Sequence, residues 1–332
     1  ATRGVGPLAG GTVAGSFTDA ASEVLREFTG SSEVLLTTSC TAALELAALL
    51  LPIEPGDAVI VPSFTFVTTA LAFVRAGAVL RFADIDPTTL GLDPASVDSL
   101  TDDTVRAVVP VHYGGVPCDL DGMPADLDLV VDDAHAPFAL GPDGRPLGSR
   151  GRFVALSFHH TKTFSCGEGG ALLCNDPADV DRARVVYEKG TNRRAFLDGT
   201  VDRYTWVDSG SSFALSEILA AHLLGQLEQR ERVLSRCREI AARYDHLLRP
   251  FAEQLGFTLP PEGAAGEHVW YLLLDDPERR AHAIGGLAAV GIGSASHYVP
   301  LHDSVMSHAP VEYRQTTPEA NWSSHSAEYP EQ

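Results

Sequence analysis

The run Ser157-Phe158-His159-His160-Thr161-Lys162-Thr163-Phe164-Ser165-Cys166-Gly167-Glu168-Gly169-Gly170 joins two apolar segments, Phe153-Val154-Ala155-Leu156 and Ala171-Leu172-Leu173-Cys174. Short apolar runs bounded by glycine and serine read as buried strands. Lys162 therefore sits between two buried strands, among hydroxyls, histidines and glycines. A lysine there is costly unless it is exposed, paired or chemically used. By itself it fits a strand-end lysine reaching solvent as well as it fits a reactive amine.

Outward from this run, strands and helices alternate. Asp19 to Phe28 reads as a short amphipathic helix and Val34-Leu35-Leu36 as a strand, followed by the helix former Ala42 to Leu51. Strands are expected at Ala58–Val61, Val79–Phe82, Val105–Val111 and Leu129–Asp133, with helices at Thr68–Ala76 and Pro94–Leu100. This alternation predicts an α/β fold with a largely parallel sheet covered by helices. Ligands of such sheets bind beyond the carboxyl ends of the strands. A long helical region, Phe213 to Leu248, is expected to break once, and a domain boundary is placed near Gln229. Residues 1–229 then form a large domain and 230–302 a small α+β domain, with strands at Val269–Leu274 and Ser294–Val299 around a helix at Arg279–Val290. Residues 303–332 are polar and aperiodic, and read as a tail.

The chain has 332 residues, 45% hydrophobic and 20% charged, with a formal charge of −20. That is enough for a large domain and a smaller one. The acidic balance argues against nonspecific nucleic-acid or anionic-membrane partners, which need a basic face. Five widely spaced cysteines, without a C-x-x-C pair, suggest neither a zinc site nor a disulfide framework. No signal peptide or membrane-spanning stretch is visible, so a cytoplasmic location is expected.

Four features fall at strand ends or helix starts. Ser39-Cys40-Thr41-Ala42 opens a helix, where backbone N–H groups and the helix dipole attract anions, although taken alone plain N-capping by Ser39 or Thr41 is the better account. Phe66 follows a strand and offers a stacking face or a core side chain. Asp133 ends a buried strand, as a partner for a cationic ring N–H or as a cap. Lys162 is the fourth. An anion cradle, an aromatic plate, an acid and a lysine are what pyridoxal 5′-phosphate (PLP) requires for its phosphate, ring face, ring nitrogen and aldehyde.

From about residue 20 to 302 the chain resembles the sugar aminotransferases among the fold-type I PLP enzymes. The resemblance lies in Ser39-Cys40-Thr41-Ala42-Ala43-Leu44-Glu45, Pro55-Gly56-Asp57, Pro62-Ser63-Phe64-Thr65-Phe66-Val67, Val109-Pro110-Val111-His112-Tyr113-Gly114-Gly115-Val116 and the lysine run itself. Glu188-Lys189-Gly190-Thr191-Asn192-Arg193, the run Val201 to Ser212 and His297-Tyr298-Val299-Pro300-Leu301-His302 extend it. The resemblance implies a mostly parallel seven-stranded sheet, PLP as cofactor and a homodimer with shared active sites. It implies that Lys162 binds the cofactor covalently, Asp133 pairs with its ring nitrogen, Phe66 stacks on the ring, and Thr41, Ala42 and Ser157 contact the phosphate. Lys189, Asn192, Arg193, Tyr204, Trp206, Tyr298 and His302 would line the substrate side. For Tyr204 and Trp206 packing at a dimer interface is an equal alternative, and His302 reads equally as a loop histidine. The implied reaction moves the amino group of L-glutamate to C4 of dTDP-4-keto-6-deoxyglucose, giving dTDP-4-amino-4,6-dideoxygalactose. Other nucleotide-sugar 3- or 4-aminotransferases, and a non-catalytic PLP- or sugar-binding relative, are the alternatives.

Some positions depart from the family. Relatives often carry His or Gln three residues after the strand-end Asp; counted from Asp133 that place is Ala136, while His135 stands one earlier. Ala214 occupies the place of an Asn that reaches the partner subunit's phosphate. The segment Cys118 to Leu129 is short, which predicts a trimmed crossover helix. The family's closing helix–strand–helix unit is not recognisable after His302.

Overall fold

The computed structural model describes residues 16–262 and 268–304. Helix α1 (Ser16–Thr29) carries Asp19 in its first turn and Arg26 in its last, which complements the helix dipole. Strand β1 (Glu33–Thr37) leads into α2 (Cys40–Leu50), and β2 (Ala58–Pro62), α3 (Val67–Arg75), β3 (Val79–Ala83), α4 (Pro94–Leu100) and β4 (Val105–Val108) follow in the expected alternation. Strand β4 stops short of the expected Val111. Pro110 has no N–H for the ladder, and Val111 keeps only an isolated bridge to Asp132. The connection to β5 (Asp128–Asp132) holds a 3-10 turn at Tyr113–Gly115 and no α-helix, so the crossover is trimmed as expected. Strands β6 (Phe153–Ser157) and β7 (Gly170–Cys174) flank the lysine loop.

The sheet order is β1-β7-β6-β5-β4-β2-β3. Strand β7 is antiparallel to both β6 and β1, and the other pairs are parallel. This is the mostly parallel seven-stranded sheet expected. Side chains alternate between two apolar layers. Ile60, Val131, Val154 and Leu156 face the layer of Leu25 and Leu223; Val59, Val61, Val130, Phe153 and Ala155 face that of Leu44 and Phe73.

After β7 come α5 (Val180–Tyr187), α6 (Arg193–Leu197), α7 (Glu217–Leu227), α8 (Arg230–Leu248), α9 (Ala252–Leu255) and α10 (Pro277–Ala289). The long helical region is broken as expected, between α7 and α8 at Leu227 to Arg230. The two expected strands beyond it do not form. Thr258 and Leu273 exchange two backbone bonds of 2.9 and 2.8 Å as an isolated bridge, and 294–299 has no regular structure and no partner strand among the described residues. An apolar run becomes a strand only when a neighbour takes its N–H and C=O groups. Helix α10 buries no residue, so this part has little core of its own. The five cysteines are all free thiols. The tail, from residue 305 on, lies outside the described residues.

Candidate active site

The carboxyl ends of β1, β5 and β6 and the first turns of α2 and α3 meet at one edge of the sheet. Register carries the alignment: Ser157 pairs with Gly170, Gly170 with Thr37, and Asp132 with Ala155. Gly170 allows β7 to touch the start of α2, since a Cβ there would lie 2.4 Å from the Cys40 nitrogen. Ser39 caps α2, accepting the Ala42 N–H at 3.0 Å. Thr41 stands half-buried in the first turn.

The lysine loop is a closed hairpin. Phe158 N–H donates to Gly169 O at 2.8 Å, His160 N–H to Gly167 O at 2.7 Å and Cys166 N–H to Phe158 O at 3.0 Å. Gly167 makes the turn with a φ of +92°. Phe158 and Phe164 anchor the loop in the core, and His159 Nε2 meets Glu168 Oε1 across it at 3.4 Å. Lys162 is half-buried on this frame. Burial lowers the pKa of its amine, while Asp132 and Cys40 oppose that shift.

The structure separates the two acids of the β5 end. Alternation continues from Val130 and Val131, so Asp132 shares the α2 and α3 face and Asp133 the opposite one. The charge of Asp132 is felt at Lys162, where it favours the protonated amine. Its Oδ2 accepts from the Thr69 hydroxyl at 2.7 Å and its Oδ1 from the Ala134 N–H at 3.1 Å. Asp133 is fully buried, and its N–H donates to Ala155 O at 3.0 Å. The sequence signal that singles out Asp132 is His135, three residues on.

A shell of rings surrounds Lys162. His135 Nδ1 accepts the Gly114 N–H at 2.9 Å, which leaves its proton on Nε2. Burial, then the Lys162 charge, lowers the pKa values of His135, His268 and His297, with His268 at about 4. His297 Nδ1 lies 3.2 Å from the Tyr113 hydroxyl, and Tyr113 contacts Phe64, Tyr271 and Tyr298. Phe66 caps α3 with its ring 56% exposed and 6.4 Å from that of Tyr298. The segment carrying Tyr298 is tied down by Leu301 N–H donating to Ser63 O at 2.9 Å, and by His302 Nδ1, 2.5 Å from the Ser63 hydroxyl. Ser157 is buried at the end of β6. Lys162, Thr41, Ala42, Ser157, Phe66, Tyr298 and His302 thus fall at one edge of one chain.

Lys189, Asn192, Arg193, Tyr204 and Trp206 lie apart from this cluster, on an arm spanning 188–212. The arm is clamped by bridges Glu188–Ser212 and Thr191–Trp206. Asn192 spends its side chain on it, with Nδ2 donating to Arg203 O at 2.9 Å and Oδ1 accepting the Thr205 N–H at 2.7 Å. Lys189 has a φ of +67° and pairs with Glu188. Arg193 lines a cavity of about 320 Å³ with Asp19, Glu33 and Arg184, on the α1 side.

The profile of the DegT/DnrJ/EryC1/StrS aminotransferase family matches residues 9–328. The chain belongs to that family. Spore coat polysaccharide biosynthesis protein SpsC of Bacillus subtilis is 34% identical over 290 residues, 83% of this chain and 74% of SpsC. The aminotransferase TlmJ of Streptoalloteichus hindustanus superposes with a TM-score of 0.78 at 30% identity, covering 87% of this chain and 79% of TlmJ. DesV of S. venezuelae does so with 0.77 at 28%, covering 90% and 79%. This chain is a PLP-dependent sugar aminotransferase with the fold-type I architecture. Its donor set suits PLP: a half-buried amine of lowered pKa, a carboxylate held on the same face, and a helix N-terminus beside two hydroxyl residues. No helix among the described residues is long and apolar enough to cross a membrane.

Proposed function

We propose that this aminotransferase moves the amino group of L-glutamate to C4 of dTDP-4-keto-6-deoxyglucose, acting as a dTDP-4-amino-4,6-dideoxygalactose transaminase. The observation that carries the chemistry is the placement of Asp132, fixed by the Thr69 hydroxyl on the face of α2 and α3, where its charge opposes the lowering of the Lys162 pKa. The choice of sugar is supported by the Glu188–Arg193, Val201–Ser212 and His297–His302 runs, which resemble that subgroup, and by SpsC, whose name places it in polysaccharide biosynthesis.

PLP bound here supplies an aldehyde for the lysine and a ring that accepts the electron pair of a carbon losing its proton. The chain supplies the rest. Lys162, kept toward its neutral form by burial, takes the proton from Cα of glutamate and returns one in the opposite half-reaction at C4 of the sugar. Asp132, rather than the neighbouring Asp133, would hold a proton on the ring nitrogen. Thr41, the first turn of α2 and Ser157 would take the phosphate. Phe66 offers its exposed face to the ring, and His135, its tautomer set by Gly114, presents Nε2–H as a donor. Tyr298 and His302 would border the sugar.

The arm does not reach Lys162 in its own chain, and it exposes Trp206 and Tyr204. We assign it to the substrate side of a second copy, in a homodimer with shared sites. The large domain would end near Gln229, with Arg230 to His302 as the smaller one.

Incubation with glutamate and dTDP-4-keto-6-deoxyglucose, with NMR of the product, tests the reading. An axial C4 amine with stoichiometric 2-oxoglutarate supports it. An equatorial C4 amine, or a C3 amine, would move the enzyme to another nucleotide-sugar specificity.

A further inference from the structure

Asp132 is held by a hydroxyl chain as well as by backbone. Thr69 donates to its Oδ2 at 2.7 Å, and the Thr65 hydroxyl lies 2.8 Å from the same Thr69 oxygen. All three side chains are buried, Thr69 completely. Each hydroxyl has one proton, and an ionised carboxylate only accepts. The Thr69 proton therefore goes to Asp132, and the proton between the threonines belongs to Thr65. The chain has one polarity, Thr65 to Thr69 to Asp132, and each donation strengthens the next.

We infer that Thr69, backed by Thr65, is a positioning residue that keeps Asp132 ionised and aimed, and thereby keeps the ring nitrogen of the cofactor protonated. This rests on Asp132 as the ring partner proposed above. Burial favours the neutral form of Asp132, and the Thr69 hydroxyl, the Ala134 N–H and the Lys162 charge oppose it. The titratable groups facing it are Lys162 from the lysine loop, Cys40 from α2 and Tyr298 from the C-terminal segment. With the Thr69 hydroxyl removed and its shape kept, Asp132 retains one fixed donor, and the proton it shares with the ring moves toward the carboxylate.

The holoenzyme reconstituted with PLP labelled with ¹⁵N in the ring reads this directly. The ring ¹⁵N shift is followed against pH, together with the dissociation constant of the cofactor. Thr69→Val is expected to lower the apparent pH of ring deprotonation by about one unit and to weaken cofactor binding about tenfold, the scale of one hydrogen bond to a carboxylate. Thr69→Ser should restore both. Thr65→Val should act in the same direction and less, because Thr69 can still donate. Asp132→Asn is the reference and should move the ring signal furthest. If Asp132→Asn leaves the signal in place, Asp132 is not the ring partner and the inference falls with that reading. If Asp132→Asn moves it and Thr69→Val does not, the hydroxyl chain alone is refuted. If Thr69→Val does not fold by circular dichroism, Thr65→Val decides, and an unmoved signal there overturns the inference.

Discussion

Asp132, Thr69 and His135 are at most 7% exposed, whereas Trp206 is 77% and Tyr204 53% exposed on the arm of the same chain. The first set is polar and buried, so its hydrogen bonds are met within the chain by Ala134, Thr65 and Gly114. The second set is aromatic and bare. Its backbone is clamped, and Tyr204 leans on the Phe196 ring at 6.3 Å, but among the described residues both arm aromatics stay largely open to water. Exposed large aromatics on a well-formed arm are the mark of a surface completed by another molecule. In the proposed reading the ring-partner acid is held by its own chain, and the arm is the part that would depend on assembly.

The largest effect is expected at Lys162. Lys162→Ala should cut turnover at least about 10³-fold, since both proton transfers lose their base, and should abolish the near-ultraviolet to violet band of lysine-linked cofactor. Retention of that band would contradict the assignment. Next, Asp132→Asn should lower turnover about 10²-fold in a protein that still folds, while Asp133→Asn should act chiefly on stability. Steady-state rates beside thermal melts separate the two, and the opposite pattern would return the ring partner to Asp133.

A third test probes the buried polar groups through pH. His112 is buried, its Nδ1 accepts the Cys118 N–H at 3.0 Å, and burial pushes its pKa to about 4. The unfolded chain takes up that proton at the ordinary value near 6.5. Stability should therefore be full above pH 6.5, fall as pH drops from 6.5 to 4, and level off below, by about 3 kcal/mol over the window. Urea unfolding across pH should show the slope, and His112→Gln should flatten it. The smallest effect on the fold is expected at the arm. Trp206→Ala should leave monomer stability within about 0.5 kcal/mol while weakening self-association and raising KM for the sugar. Mixing an inactive arm variant with Lys162→Ala should regenerate activity through hybrid dimers, up to about a quarter of wild type for random pairing. No regeneration would separate the arm from the partner's site.

The large sheet was legible because each of its strands is a short apolar run between turn residues, and the alternation with helices leaves few topologies. Lys162, Phe66 and Ser157 could be placed at the strand-end edge because they stand just beyond such runs. The choice between Asp132 and Asp133 was harder: two adjacent acids at a strand end differ only in which face they take, and a one-residue shift in where the strand stops reverses the answer. Val130 and Val131 carry that parity once their packing layers are known. Thr65 precedes the helix expected at Thr68–Ala76 and Thr69 lies in its first turn, and nothing in sequence spacing ties them to an acid more than 60 positions away. The strands expected at Val269–Leu274 and Ser294–Val299 failed because apolarity reports burial potential, not the presence of a pairing strand.

Strand β7 runs against its neighbours, so β6, the lysine loop and β7 make one antiparallel hairpin inside a sheet otherwise joined by crossovers. Hairpins form from contacts close in sequence, whereas parallel pairs wait for long loops to close. The reactive amine is thus mounted on the most local unit of the sheet. Its height above the strand ends is set by a single turn and two flanking strands, and sequence drift in the distant crossovers can reshape the substrate side without relocating the lysine.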